Sequence, residues 1–144
     1  MQKPFVLVAD DNEATCTLIT ALLHHDFAVV TATDGMSAIE QLKSRQFAAV
    51  ILDLVMPVAD GYAVLDFLRM ERADLLPRTV VITASVARRE MERVASYGVH
   101  TVMPKPFEVD ELYAAVKEIA GGADAFGGPM ISTGMILMLA DLLR

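Results

Sequence analysis

Five times along this chain, a short run of β-forming apolar residues is followed by a segment with the spacing of an amphipathic helix. That alternation restricts the fold more than any other feature. Strands separated by helices pair in parallel through right-handed crossovers, and the helices cover both faces of the sheet. The strand-like runs are residues 5–8, 27–32, 47–52, 78–83 and 99–103. The third, FAAVIL, is apolar without interruption, as suits a strand buried on both faces. Cys16, Leu18, Ile19, Leu22 and Leu23 fall on one face of the first helix, with Asn12 as its N-cap. Residues 36–42 return to helical spacing after the Asp34-Gly35 turn. Asp60 is the expected N-cap of a helix running to Glu71, with Val64, Leu65 and Leu68 inward. Residues 87–96 form a polar, arginine-rich helix that ends near Gly98. Val109, Leu112, Val116 and Ile119 line the last helix of the repeat. The expected fold class is therefore α/β, a doubly wound five-stranded parallel sheet.

At 144 residues the chain is about one domain long and can bury a core without metals or disulfides. Hydrophobic residues at 54% against 22% charged mark it as globular rather than disordered. No uncharged apolar run is long enough to span a bilayer. The start, MQKPFVLVADDNEA, lacks the pattern of a signal peptide, so the expected compartment is the cytoplasm. A net charge of −7 argues against direct nucleic-acid binding, which needs a basic face. Cys16 stands alone and reads as a small buried residue. His24, His25 and His100 have no partner at zinc-ligand spacing and read as surface or helix-end residues.

Ligands of doubly wound sheets bind outside the carboxyl ends of the strands. Asp10 and Asp11 follow strand one, Asp53 ends strand three, Thr83 ends strand four and Lys105 follows strand five. Each residue alone is unremarkable: Asp-Asp after a strand is usually a loop or cap. Their joint placement on one edge carries more. Three converging carboxylates repel one another unless a cation neutralises them, and an oxygen-only set favours a hard ion such as Mg2+. A lysine and a threonine hydroxyl beside them can pair with phosphoryl oxygens while a carboxylate attacks in line.

VLVADDNEA, ATDGMSAIEQL, ILDLVMPVADGYAVLDFLR, VVITAS and VMPKPF, in that order, resemble the receiver (CheY-like) domain of bacterial two-component response regulators over residues 4–120. The 30-residue step from Asp53 to Thr83 and the 22-residue step from Thr83 to Lys105 match as well. The resemblance implies a flavodoxin-like (βα)5 fold and Asp53 as phosphoacceptor. Asp11 and Asp53 would ligate Mg2+ directly, Asp10 through water, and Val55 through its backbone carbonyl. Thr83 would move to meet the phosphoryl group and Lys105 would pair with it, aimed by a cis Lys105-Pro106 bond. It further implies a histidine kinase or histidine phosphotransfer protein as donor, and a downstream protein target. The chain departs from the family pattern at Val102, where many receivers carry an aromatic reporter. That shifts expectation to the 86–97 region, with Tyr97 and His100 as candidates. Val55 and Ser85 flank the path of the hydrolytic water.

Composition changes at residue 120. Residues 121–130 read as a linker, and 131–144 as an extra apolar C-terminal helix that packs back on the domain, continues into a longer protein, or docks and dimerises. The functional expectation is a phosphoacceptor switch in a two-component or phosphorelay system, with self-phosphorylation and autodephosphorylation but no metabolite turnover. An aspartate-nucleophile phosphatase needs an acid where Val55 stands. A flavin or nucleotide binder needs a phosphate loop where Asp10 and Asp11 stand. A degenerate receiver used only for docking would not need all five polar residues.

Overall fold

The structure is a computed structural model that describes residues 2–85 and 87–126. Five parallel strands, β1 (Phe5–Ala9), β2 (Ala28–Ala32), β3 (Ala49–Asp53), β4 (Thr79–Thr83) and β5 (Thr101–Pro104), form one sheet in the order β2-β1-β3-β4-β5. The helices between and after them are α1 (Glu13–Leu23), α2 (Gly35–Ser44), α3 (Gly61–Glu71), α4 (Arg88–Ala95) and α5 (Val109–Phe126).

Side chains alternate across a strand, and the core divides accordingly. Leu7, Val50, Leu52 and Val81 face one layer, with Ala38 and Leu42 of α2, Val64, Leu65 and Leu68 of α3, and Val94 of α4. Val6, Val8, Ala49, Ile51, Val80 and Ile82 face the other, with Cys16, Ile19 and Leu23 of α1 and Leu112, Val116 and Ile119 of α5. Burying each such aliphatic side chain contributes about 1.5–3 kcal/mol, so the sheet edge that carries the acids rests on a rigid base.

The helix starts follow the capping chemistry of the sequence. Asn12, Asp34 and Asp60 each accept a hydrogen bond from the backbone N–H three residues on, at Thr15, Ser37 and Ala63, satisfying donors that the first turn leaves open. Gly98 has φ +82° and closes the turn after α4.

Several boundaries and faces differ from the sequence reading. Leu18 is 49% exposed, because Cys16, Ile19 and Leu23 define the buried stripe of α1 and Leu18 sits one residue, about 100°, off it. Val109 is exposed in the first turn of α5. Helix α5 continues through Phe126, past the linker boundary set at residue 121. A 3-10 turn at Ala73–Arg78 fills the stretch before β4, where no regular periodicity marks it. The expected helix at 131–144 lies outside the described residues.

The connection after Asp53 is tightly held. Gly61 N–H donates to the Leu54 carbonyl at 2.8 Å, and a Cβ on Gly61 would lie 2.5 Å from the Asp53 carbonyl oxygen. Within this connection Val58 has φ +69°, and Ala59 N–H donates to the Pro57 carbonyl at 2.8 Å. This is a γ-turn centred on a β-branched residue, a strained arrangement. Val58 is 82% exposed, so its side chain adds little packing in return. Val58→Gly is therefore expected to stabilise the protein by about 1 kcal/mol, the strain relieved less the added chain entropy. Urea unfolding checks this; an unchanged or lower midpoint would refute the strain.

Candidate functional site

The parallel sheet delivers all the predicted polar residues to the carboxyl ends of its strands. Asp10 leaves β1 directly and is buried, its backbone N–H donating to the Ala32 carbonyl at 3.0 Å. One carboxylate oxygen, Oδ1, accepts from Asn12 N–H at 2.9 Å. Asp11, the next residue, is exposed. Asp53 is the last residue of β3, paired in register with Ile82 of β4, and is 4% exposed. Asp10, Asp11 and Asp53 each offer a carboxylate oxygen within 4.8 Å of the others.

Lys105 supplies the opposing charge. Its backbone N–H donates to the Thr83 carbonyl at 2.9 Å, which extends the β4–β5 pairing past Pro104. The Lys105-Pro106 bond is cis. From there Nζ lies 2.8 Å from Asp10 Oδ2 and 3.3 Å from Asp53 Oδ2. Burial alone would pull this ammonium's pKa down, but the two carboxylates outweigh it and hold the pKa raised.

Asp53 shows the opposite conflict. Burial pushes its pKa up, the Val55 N–H to Oδ1 contact at 3.2 Å pulls it down, the Asp10 charge raises it, and Lys105 lowers it; the net shift is upward. One ammonium against three carboxylates leaves two negative charges uncompensated. An all-oxygen set carrying that excess fits a hard divalent cation.

Thr83 ends β4 and is 2% exposed, its Oγ1 accepting from Ser85 N–H at 3.1 Å. Val55, 70% exposed, stands at the rim of the site two residues beyond Asp53. Cys16 lies beneath it, its Sγ donating to the Asp10 carbonyl at 3.3 Å. Burial raises the thiol's pKa, and the neighbouring acids raise it further, so it serves as packing and as a weak donor.

Two features escaped the sequence. His100 is not a surface residue. Its side chain is 8% exposed, with Nε2 3.4 Å from Glu118 of α5. Burial lowers its pKa, and Glu118 only partly opposes that. The second feature is a polar junction between α3 and α4. Tyr62 Oη donates to Glu90 at 2.5 Å and Tyr97 Oη donates to Asp66 at 2.5 Å. The spacing of these residues was visible, but only the packing of α3 beside α4 pairs them.

The shift on Asp53 has a consequence for stability. A raised folded-state pKa means the carboxyl favours folding while protonated, below the unfolded value of 3.8. That contribution is lost as pH rises through the folded value, so ionised Asp53 opposes folding at neutral pH. In metal-free buffer Asp53→Asn is expected to raise Tm at pH 7, with the gain shrinking towards pH 3.5. A Tm gain that is absent at pH 7 or grows on acidification would contradict the charge account.

Comparison with known proteins agrees with this geometry. A family model for the response regulator receiver domain matches residues 6–117. The transcriptional regulatory protein TctD of Salmonella typhimurium is 36% identical over 115 residues, covering 79% of this chain and 50% of that protein. Transcription factor SKN7 of Chaetomium thermophilum is 28% identical over 98% of this chain but only 19% of its own length. The chain thus spans half or less of these two curated relatives. Among solved structures, the Francisella response regulator 1452 receiver domain superposes with TM-score 0.77 at 24% identity, over 84% of this chain and 99% of that one. The receiver domain of the sensor histidine kinase PA1611 from Pseudomonas aeruginosa, which holds a magnesium ion in its active-site cleft, gives 0.73 at 24% identity, over 83% and 98%. With five polar groups gathered at one sheet edge and a family match covering most of its length, the chain belongs to the response regulator receiver domain family.

Proposed function

We propose that this chain accepts a phosphoryl group on Asp53 with Mg2+ bound beside it, and that the modification switches its binding to a downstream protein. The observation that carries the reading is the position of Lys105 Nζ, within 3.3 Å of carboxylate oxygens from both Asp10 and Asp53. An ammonium so placed can transfer its pairing to an incoming phosphoryl oxygen without a large movement.

The metal would be held by Asp11, Asp53 and the Val55 carbonyl, with Asp10 acting through water. It would supply charge neutralisation at the phosphoryl oxygens. Asp53 is the nucleophile: one carboxylate oxygen attacks phosphorus and forms a P–O bond. The P–N bond of a phosphohistidine on a histidine kinase or phosphotransfer protein breaks, and the imidazole leaves with its electron pair and takes up a proton. Thr83, whose hydroxyl oxygen now accepts from Ser85 N–H, would turn its O–H towards the phosphoryl group. Hydrolysis of the acyl phosphate returns the resting carboxylate. Val55 and Ser85, both exposed, border the approach of that water. Domain limits of 4–120 for the receiver, carried on to Phe126 by the reach of α5, and dimerisation through 131–144 belong to the same reading.

No helix among the described residues is long and apolar enough to cross a membrane.

Intact mass spectrometry after incubation with acetyl phosphate and Mg2+ tests the reading. The wild-type chain should gain one phosphoryl group, and Asp53→Asn none. Full labelling of that variant would sink the assignment. Asp11→Asn should keep its fold and lose about tenfold or more in Mg2+ affinity by titration calorimetry, since it removes a ligand and some of the repulsion together. Unchanged affinity would remove Asp11 from the metal set.

A further inference from the structure

Helix α4 is attached to the body in a different way from its neighbours. Val94 is the one residue of its eight that is fully buried, and no side chain caps its N-terminus. Helix α3 beside it buries Val64, Leu65 and Leu68. What joins the two helices is a reciprocal polar clamp.

At one level, Tyr62 of α3 donates to Glu90 while the Arg93 guanidinium lies 3.6 Å from the centre of the Tyr62 ring. Two turns further on, Tyr97 just past α4 donates to Asp66 while the Arg69 guanidinium lies 3.9 Å from the Tyr97 ring centre. Each helix thus carries a carboxylate and an arginine three residues apart, and each such pair grips the tyrosine contributed by the other element. Hydrogen bonds to charged acceptors and guanidinium–ring contacts are directional and need the two helices in register. Burial and the Glu90 carboxylate push the Tyr62 hydroxyl up to about 12. The tyrosine therefore remains a donor at neutral pH.

The clamp touches the phosphoacceptor site from two sides. Tyr62 immediately follows Gly61, whose N–H is bonded to the Leu54 carbonyl and which packs against the Asp53 carbonyl. Glu90 and Arg93 lie on α4, the helix that follows the Thr83–Ser85 end of β4. Val102, in the position of the family's usual aromatic, is a half-buried aliphatic packed on the same core layer as Val94 and Tyr97. It offers no hydroxyl or large ring to report a change.

We propose that this α3–α4 tyrosine clamp is the latch of the switch: it holds α4 in the resting position, and modification of Asp53 releases it. The proposal rests on the phosphoacceptor reading above. If Thr83 and Ser85 turn towards a phosphoryl group, the start of α4 is displaced relative to α3, and the clamp loses its register. By linkage, a ligand at Asp53 and an open clamp must favour each other equally.

The test is hydrogen exchange of peptides covering residues 84–99 in the full chain, with and without beryllium fluoride and Mg2+. Beryllium fluoride forms a trifluoroberyllate adduct on an aspartate in place of a phosphoryl group, and its 19F signal gives the affinity. In the wild type, the adduct should speed exchange across residues 88–97. Tyr62→Phe with Tyr97→Phe keeps both rings but removes both hydrogen bonds. It should exchange quickly without the adduct, change little with it, and bind trifluoroberyllate about fivefold more tightly. Glu90→Gln with Asp66→Asn, which leaves neutral acceptors, should fall between. Wild-type adduct affinity in both double variants would overturn the latch, even if α4 exchanges faster. A wild-type chain that forms no adduct would overturn the phosphoacceptor reading, and the latch with it.

Discussion

One ammonium group held between two buried carboxylates is the contact on which the rest of the site depends. Without Lys105, Asp10 and Asp53 would face each other at the sheet edge with Asp11 close by and no positive charge between them. With it, one positive charge sits among three carboxyl groups. A carboxylate in that condition is a competent nucleophile only if further positive charge arrives. The fold supplies the stiffness this requires. Asp10, Asp53 and Thr83 extend directly from strands whose interior residues are almost wholly buried, and Lys105 is tied by its backbone to Thr83.

Much of this was legible in the sequence, because it rests on local chemistry. Continuous apolar runs specify central parallel strands, and Asn12, Asp34 and Asp60 start helices wherever they precede a helical period. The strand-end acids follow once the alternation is recognised. What was not legible depends on distant packing. Leu18 belongs to an apolar run of α1 that is wider than the surface available to cover it. His100 reads as a helix-end residue until α5 brings Glu118 against it. The 3-10 turn at Ala73–Arg78 has too few residues to show a period. Helix α5 runs on to Phe126, where the paired glycines suggest a linker.

At the α3–α4 junction, a departure from the family pattern at residue 102 lies beside a set of directional polar contacts. An aliphatic at 102 removes one means of reporting a change at Thr83. The same core layer ends at Tyr97, which is 8% exposed and bonded across to Asp66. A helix with one fully buried residue and several directional polar contacts costs less to displace than one anchored by three aliphatic side chains. The site is rigid where chemistry requires fixed geometry, and its least anchored neighbouring helix lies beside α3, which begins at the Asp53 backbone.

The central claim is that the modified atom is a carboxylate oxygen of Asp53, and borohydride reduction tests it most directly. An acyl phosphate is reduced to an alcohol, so an aspartyl phosphate becomes homoserine while free carboxylates are untouched. After treatment with a phosphodonor and Mg2+, then borohydride, peptide sequencing by mass spectrometry should find homoserine at position 53. Homoserine at position 10 or 11, or at none of the three, would contradict the account.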